Sequence, residues 1–448
     1  MPTCDLCLAW SWEYDADFVA LLRVACLRHG LTLREVTPDT LCNVLARIAT
    51  GELTVRAFFD RASDGDAAFL PLVEWATARV PHLLNPFATA RRAWDKATMH
   101  LEFITAGLYT PHTIILPPYQ EQPNLPPLDL TPLGGRFSIK PAHGGGGVGV
   151  VNKAQAWAQV TAARQKFPSD KYLLQEWITP ATMGGRRAWF RVIHCCGRTF
   201  PCWWDDQTHV YALVTPDEES LYGLGRLREM AAIIARVCGL QLFSTEIAGT
   251  SDGRLLSVDY VNDPLDLRLQ SKTLQGVPDA IVAALADRIA EWVVEQIRPC
   301  IRPATEADIP AMMRLLEELG RPPADPADTR LTDVHRQHIA DPDQLMLVAE
   351  LGGRVVGMLS GMYRTRLNWP TLELWIADLI VTESARGCDA SRALMNEAIA
   401  RARRRGCHRV TLESGHQRQV AHQLYQSLSF EDRGDYFLLD LFPAVALD

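Results

Sequence analysis

Phe137-Ser138-Ile139-Lys140-Pro141-Ala142-His143-Gly144-Gly145-Gly146-Gly147-Val148-Gly149-Val150 is the stretch from which the rest of the chain is read. A short apolar strand ends in a lysine, and five glycines follow within six residues. Glycine admits positive φ and lets backbone N–H groups approach a phosphate closely. Lysine adds a point charge for phosphate oxygens. The stretch therefore reads as a lid over a nucleotide triphosphate, with Lys140, Gly145, Gly146 and Gly147 as its contacts. The competing reading is a glycine hairpin beside a surface lysine. His143 reads as a loop histidine more readily than as a phosphate ligand.

Downstream, a hairpin around Asp252-Gly253 supports the first reading. A two-residue turn there pairs Ser251 with Arg254 and, followed outward, sets Glu246 opposite Asp259. Like charges facing across a ladder are destabilising unless a cation lies between them. Mg²⁺ suits such a site, because it takes one or two carboxylates and completes its shell with phosphates. The competing reading is a solvated carboxylate pair.

Taken together these features resemble the ATP-grasp superfamily, over residues 1 to about 298. Asn85-Pro86, then Arg92-Ala93-Trp94-Asp95-Lys96, resembles the segment with the family's first ATP lysine, Lys96. Lys140 and its loop resemble the second. Leu173-Leu174-Gln175-Glu176-Trp177-Ile178 resembles the hinge strand whose backbone meets adenine. Glu246, Asp259 and Asn262 resemble the magnesium set, and Arg191 resembles an arginine that faces the transferring phosphoryl group. Two departures stand out. Strict alternation turns Asn262 away from Asp259 unless a bulge intervenes. Trp189 occupies a position that is often acidic. The resemblance implies carboxylate activation by ATP through an acyl phosphate, followed by attack of an amine.

After Arg298-Pro299 a new unit begins, with Thr305-Glu306-Ala307-Asp308 as a helix-capping signal and a Gly352-Gly353 hairpin turn. Residues 301 to about 442 resemble the GNAT acetyltransferase superfamily. Strand 375–382, the segment Ala385-Arg386-Gly387-Cys388-Asp389-Ala390-Ser391-Arg392, and the later Ala421-His422-Gln423-Leu424-Tyr425 through Ser429-Phe430 carry the likeness. It implies that Arg386, Gly387 and Ser391 lie at the pyrophosphate of acetyl-CoA, on a helix N-terminus. It also implies that Tyr425 protonates the leaving thiolate, and that Asp378 or Glu373 is a base or orients water. Asp389 stands where the family has its first loop glycine. It could cap the helix but would repel pyrophosphate. Ser429 replaces the glycine before Phe430.

The expected fold class is α/β, in three parts. Residues 1–115 form a pre-ATP-grasp parallel subdomain, 116–298 the ATP-grasp subdomains, and 300–448 a GNAT-like domain. Within the first part, Leu31-Thr32-Leu33 is an expected strand. A helix is expected from Ala154 to Lys166, and an irregular stretch over 203–224. The chain has 448 residues, 48% hydrophobic, with a net charge of −8. That balance points to small-molecule substrates and away from nucleic acid and anionic membranes. No apolar run reaches the ~18 residues of a membrane span. Eleven scattered cysteines, including Cys4-x-x-Cys7 and Cys195-Cys196, fit buried reduced thiols of a cytoplasmic protein. A homodimer is compatible with the sequence.

The expected function is a bifunctional biosynthetic enzyme using ATP, Mg²⁺ and acetyl-CoA. One part is a carboxylate–amine ligase, and the other an N-acetyltransferase acting on an amino-acid-like or amine metabolite. The alternative keeps the ligase and makes the GNAT-like unit a non-catalytic binding or dimerisation module.

Overall fold

A computed structural model describes residues 3–126, 128–323 and 329–434. The chain divides into two compact units, Met1–Val294 and Glu295–Asp448. The last residues of the GNAT resemblance, 435–442, lie outside the described residues.

The first unit begins with a four-stranded parallel sheet in the order β2-β1-β3-β4, formed by β1 (Thr3–Trp10), β2 (Leu33–Val36), β3 (Thr54–Arg61) and β4 (His82–Leu84). Helices Ala16–Arg28, Pro38–Ala49 and Leu70–Arg79 supply the crossovers that parallel pairing requires. Leu6, Cys7, Leu8 and Ala9 are fully buried, as expected for a strand covered on both faces. The strand expected at 31–33 starts only at Leu33. Thr32 is instead held by Asp5, whose carboxylate accepts from the Thr32 N–H at 2.9 Å.

A second sheet, antiparallel, has the order β5-β8-β6-β7: β5 (Thr113–Leu116), β6 (Phe137–Pro141), β7 (Val151–Ala154) and β8 (Tyr172–Glu176). Ala154 belongs to β7, and the helix expected from there begins at Trp157. The reason is local. The Gln159 side chain accepts from the Gln155 and Ala156 N–H groups and fixes the helix start.

After a small hairpin of β9 (Thr182–Met183) and β10 (Arg186–Arg187) comes a five-stranded antiparallel sheet. It contains β11 (Trp189–Cys195), β12 (Arg198–Trp204), β13 (Tyr211–Leu213), β14 (Leu242–Gly249) and β15 (Leu255–Asn262), in the order β13-β12-β11-β14-β15. The stretch expected to be irregular, 203–224, is mostly ordered. Trp203 and Trp204 end β12 and pair with Ala212 and Tyr211. Asp205 shapes the turn by accepting from the Gln207 and Thr208 amides, and helix Pro216–Leu221 follows with Thr215 and Glu218 as its capping box. Helices Lys96–Thr105 and Gly225–Cys238 cover one face of this sheet through Met99, Phe103, Leu227 and Ile234 against Phe190, Phe243 and Tyr260.

The second unit is one five-stranded sheet in chain order: β16 (Cys300–Pro303), β17 (Gln344–Leu351), β18 (Arg354–Thr365), β19 (Leu372–Val381) and β20 (Arg409–Leu412). Only β19–β20 is parallel, joined through helix Ala390–Arg404. Gly352 and Gly353, both with positive φ, make the tight β17–β18 turn. Leu347, Leu359 and Leu374 face helix Ala390–Arg404, and Val348 and Met358 face helix Ile309–Leu319. No helix among the described residues is long and apolar enough to cross a membrane.

Candidate functional site

The ladder between β14 and β15 builds the first site. Gly249 pairs with Leu255, Glu246 with Asp259 and Ser244 with Asn262, with register shifts between these pairs. The turn spans Thr250 to Arg254 and is thus wider than the two-residue turn expected. A bulge restores the opposition of Glu246 and Asp259 all the same. The second bulge places three residues, Tyr260 to Asn262, against Thr245 and Ser244. It brings the Asn262 amide to the Asp259 carboxylate, where it stabilises the charge.

Arg191 on β11 pairs directly with Glu246. Its guanidinium donates to Glu246 Oε1 at 3.2 Å and to Ser244 Oγ at 3.1 Å, and it lies 5.0 Å above the Trp204 ring. Trp189 donates its indole N–H to Glu246 Oε2 at 3.2 Å. The residue standing in a commonly acidic position is therefore a clamp on the acid. Ladder register alone could have revealed this, since Trp189 faces Ala248, two residues from Glu246.

Lys140, at the end of β6, donates to Val258 O at 3.1 Å, next to Asp259. Burial pushes the Lys140 ammonium below its usual range, while Asp259 and Glu246 oppose that shift and Lys96 adds to it. Burial also raises Glu246, and the neighbouring Asp259 raises it further against Arg191. Asp259 moves the other way. Burial acts to raise it, but Lys140, Lys96 and Arg191 together hold it below the ordinary carboxylate range. Two acids thus share three cations in a partly buried setting, and their environments push them apart.

Lys96 opens its helix and is tied to the glycine loop twice. Its N–H donates to Ala142 O at 2.9 Å, and its Nζ reaches Gly144 O. Gly144, Gly146 and Gly147 all have positive φ, and an added Cβ at any of them would meet nothing within 4 Å. Backbone conformation, not crowding, therefore requires glycine there. Gly145 is also open, so the loop from 144 to 147 is free of side-chain packing. His143 is held by Asp170, through its ring Nδ1 at 2.8 Å and its N–H at 2.9 Å, which makes it a loop anchor.

The hinge strand is the second in its sheet, between β5 and β6. Gln175 lies on the central strand β8, engaged by β5 and β6 on its two sides, and its side chain donates to Tyr260 Oη at 3.0 Å. The Glu176 N–H is taken by His112 O at 2.8 Å. Strand order, which local sequence does not reveal, thus occupies the Gln175 side chain and the Glu176 N–H. The backbone of Trp177 and Ile178 just beyond has no hydrogen-bond partner among the described residues. The Ile178 side chain packs with Ala248 and Leu256.

Among the described residues no three His, Cys, Asp or Glu side chains form a metal cluster. Two opposed carboxylates with a bulge-positioned amide nevertheless fit Mg²⁺, which completes its shell from phosphate and water.

In the second unit, Asp378 lies beside a bulge. Ser360 pairs with Asp378 and Gly361 with Ile376, so Ala377 is the extra residue. Asp378 accepts from Ser360 Oγ at 2.7 Å and from Arg321 Nη2 at 2.7 Å. Glu373, considered as a base, is a structural acid. It is fully buried, and Arg364, Arg366, Arg409 and Thr411 surround it. Tyr425 packs 6.1 Å from the Phe430 ring, and burial raises its phenol above the ordinary value, so it stays protonated.

Asp389 does not cap its helix. Its backbone is left-handed (φ 62°) and its side chain makes no capping bond, because capping needs an extended N-cap backbone. Ser429 also has positive φ, 66°. Both departures from glycine therefore fall at left-handed positions. Arg386 and Gly387 are exposed in the preceding loop, Ser391 sits in the first turn of helix Ala390–Arg404, and Arg392 donates to Ser427 Oγ at 2.9 Å.

Residues 310–430 match the sequence profile of the Acetyltransferase (GNAT) family. No curated protein matches the chain. Over the first two-thirds, the chain is similar to the crystal structure of the D-cycloserine synthetase DcsG, at 16% identity and TM-score 0.44, covering 65% of this chain and 100% of that one. It is also similar to the RimK domain protein ATP-grasp from Sphaerobacter thermophilus, at 19% identity and TM-score 0.44, covering 64% and 98%. A transcriptional regulator from Bacillus halodurans is similar at 25% identity and TM-score 0.31, covering 32% and 100%.

Proposed function

We propose that the chain is a bifunctional enzyme, an ATP-dependent carboxylate–amine ligase joined to an acetyl-CoA-dependent N-acetyltransferase. The observation that carries the ligase reading is the Glu246–Asp259 pair, opposed across a ladder and enclosed by Lys140 and Arg191. In this reading Glu246, Asp259 and Asn262 hold Mg²⁺, which neutralises phosphate charge. Lys96 and Lys140 bind the triphosphate, the amides around Gly145, Gly146 and Gly147 close over it, and the Trp177–Ile178 backbone meets the adenine. Arg191 faces the group in transfer and stabilises its charge.

Incubation with ATP, Mg²⁺ and a pool of amino acids should release ADP. Added hydroxylamine should then capture a hydroxamate from an activated carboxyl group. ADP release without hydroxamate would favour phosphate transfer to a hydroxyl. No ADP with any amino acid, peptide or polyamine would remove the ligase reading.

For the transferase, Tyr425 acts as general acid towards the departing thiolate, and Asp378, oriented by Arg321 and Ser360, meets the acceptor amine. Tyr425→Phe should lower the acetyl-transfer kcat by about 10²-fold with KM for acetyl-CoA unchanged. An unchanged kcat would make Tyr425 a packing aromatic. One observation favours a second reading, a binding module without catalysis: the exposed, uncapped Asp389 places negative charge at the helix N-terminus where pyrophosphate would sit.

A further inference from the structure

A cavity of about 230 Å³ opens on the face of the C-terminal sheet that carries Asp378. Alternate residues of two strands supply its floor, Met346 from β17 and Met358 and Met362 from β18. Leu316 and Val334 cover it from helices Ile309–Leu319 and Thr329–Ala340, and Trp375 adds an aromatic wall. Polar side chains enter this apolar lining from Ser360 and Asp378 on the sheet, from His335 and His338 on helix Thr329–Ala340, and from Gln344 at the start of β17.

His335 Nδ1 bonds to Leu331 O at 2.9 Å and His338 Nδ1 to Val334 O at 2.8 Å. A carbonyl can only accept, so each Nδ1 carries the hydrogen. Among the described residues Asp378 is the only carboxylate in the lining, and Arg321 lies on it at 2.7 Å. The cavity thus offers the Asp378 carboxylate and the Gln344 amide oxygen as acceptors for N–H groups. Among the described lining residues a polycation finds no further carboxylate, and the carboxylate of an amino acid finds no lysine or arginine.

We propose that this cavity binds the apolar side group of a primary monoamine, whose amino group meets Asp378, so that the acetyl acceptor is a lipophilic monoamine. The inference rests on the transferase reading above and narrows its substrate class. At about 230 Å³ the space lies below the roughly 300 Å³ where drug-sized pockets begin, which suits one aryl ring or a short alkyl chain. Three methionines give the walls an adaptable surface, so several such amines should be accepted. In the reaction the neutral amine nitrogen attacks the thioester carbonyl of acetyl-CoA. A C–N bond forms and the C–S bond breaks. The amine loses one proton to the Asp378 side of the cavity and on to water, the thiolate takes one from Tyr425, and water returns a proton to Tyr425. The products are the N-acetylamine and CoA.

The test uses the full chain with acetyl-CoA and phenethylamine, hexylamine, spermidine or glutamate as acceptor, reading N-acetyl product by mass spectrometry. Phenethylamine and hexylamine should exceed spermidine and glutamate in kcat/KM by at least about tenfold. Met358→Asp, which charges the cavity floor, should remove that preference and abolish phenethylamine binding seen by saturation-transfer NMR. Acetyl-CoA affinity, measured by calorimetry, should be unchanged. Equal or better use of spermidine or glutamate, with acetyl-CoA still bound, overturns the cavity assignment alone. Absence of acetyl-CoA binding overturns the transferase reading. Phenethylamine binding that survives Met358→Asp overturns the placement of the side group.

Discussion

Asp259→Asn should lower ADP formation by about 10²–10³-fold while leaving the protein folded. The substitution keeps the shape and removes one negative charge from a partly buried cluster. Lys140 then loses the first of the groups that oppose its desolvation, and its ammonium form weakens further. Glu246 responds oppositely. Asp259 helps to raise its pKa, so Glu246 ionises more readily once that charge is gone. A remaining single carboxylate beside Arg191 should bind Mg²⁺ weakly, and the Mg²⁺ concentration for half-maximal rate should rise. An ADP-release assay titrated with Mg²⁺ measures both effects. Asp252→Asn, at the exposed hairpin tip where Asp252 pairs with Arg254, is the control and should change neither. Unaltered ADP formation in Asp259→Asn would reduce the cluster to a structural ion network.

That cluster was legible in the sequence for a reason only half correct. Counting back from Asp252-Gly253 sets Glu246 against Asp259, yet the turn is wider and a bulge makes up the difference. The pairing survives because Asp252 still organises the turn, accepting from the Arg254 N–H, and because both strands are covered on both faces, which fixes the side on which each residue lies. The second bulge turns the Asn262 amide to the Asp259 carboxylate, a direction that alternation alone left open. The parallel sheet was equally readable, since β1 and β3 are apolar runs between amphipathic helices. Other features were hidden because they depend on partners far away in sequence. The setting of Gln175 between two strands, with its side chain on Tyr260, depends on strand order. Trp203 and Trp204 looked like loop residues because a polar turn follows them, although β13 returns to pair with both. Asp389 and Ser429 could be flagged as departures from glycine. That both adopt left-handed backbone, and that Asp389 cannot cap for this reason, emerges only from the dihedral angles.

Glu373→Gln should destabilise the C-terminal unit by about 3 kcal/mol, or roughly 10 °C in its melting temperature, at neutral pH. Glu373 joins three strands. It pairs with Arg364 on β18 and Arg409 on β20, and it receives an N–H from Arg364 at 2.8 Å and a hydroxyl from Thr411 at 3.2 Å. Glutamine leaves three arginines facing one another without a counter-charge. Burial opposes ionisation of Glu373, but Arg364 and Arg409 outweigh it and hold the acid at about 2 against an ordinary 4.5. Between those values the unfolded chain binds a proton that the folded one does not. The stabilisation is therefore complete above about pH 4.5 and is lost as the pH falls towards 2. Calorimetric melts of wild type and Glu373→Gln should differ most at pH 7, draw together below pH 4.5 and converge near pH 2. Hydrogen exchange at the β19 amides should quicken in the variant at pH 7. A gap between the melts that stays constant from pH 7 to 3 would assign the loss to packing around the glutamine, and the arginines would then be held apart by solvent alone.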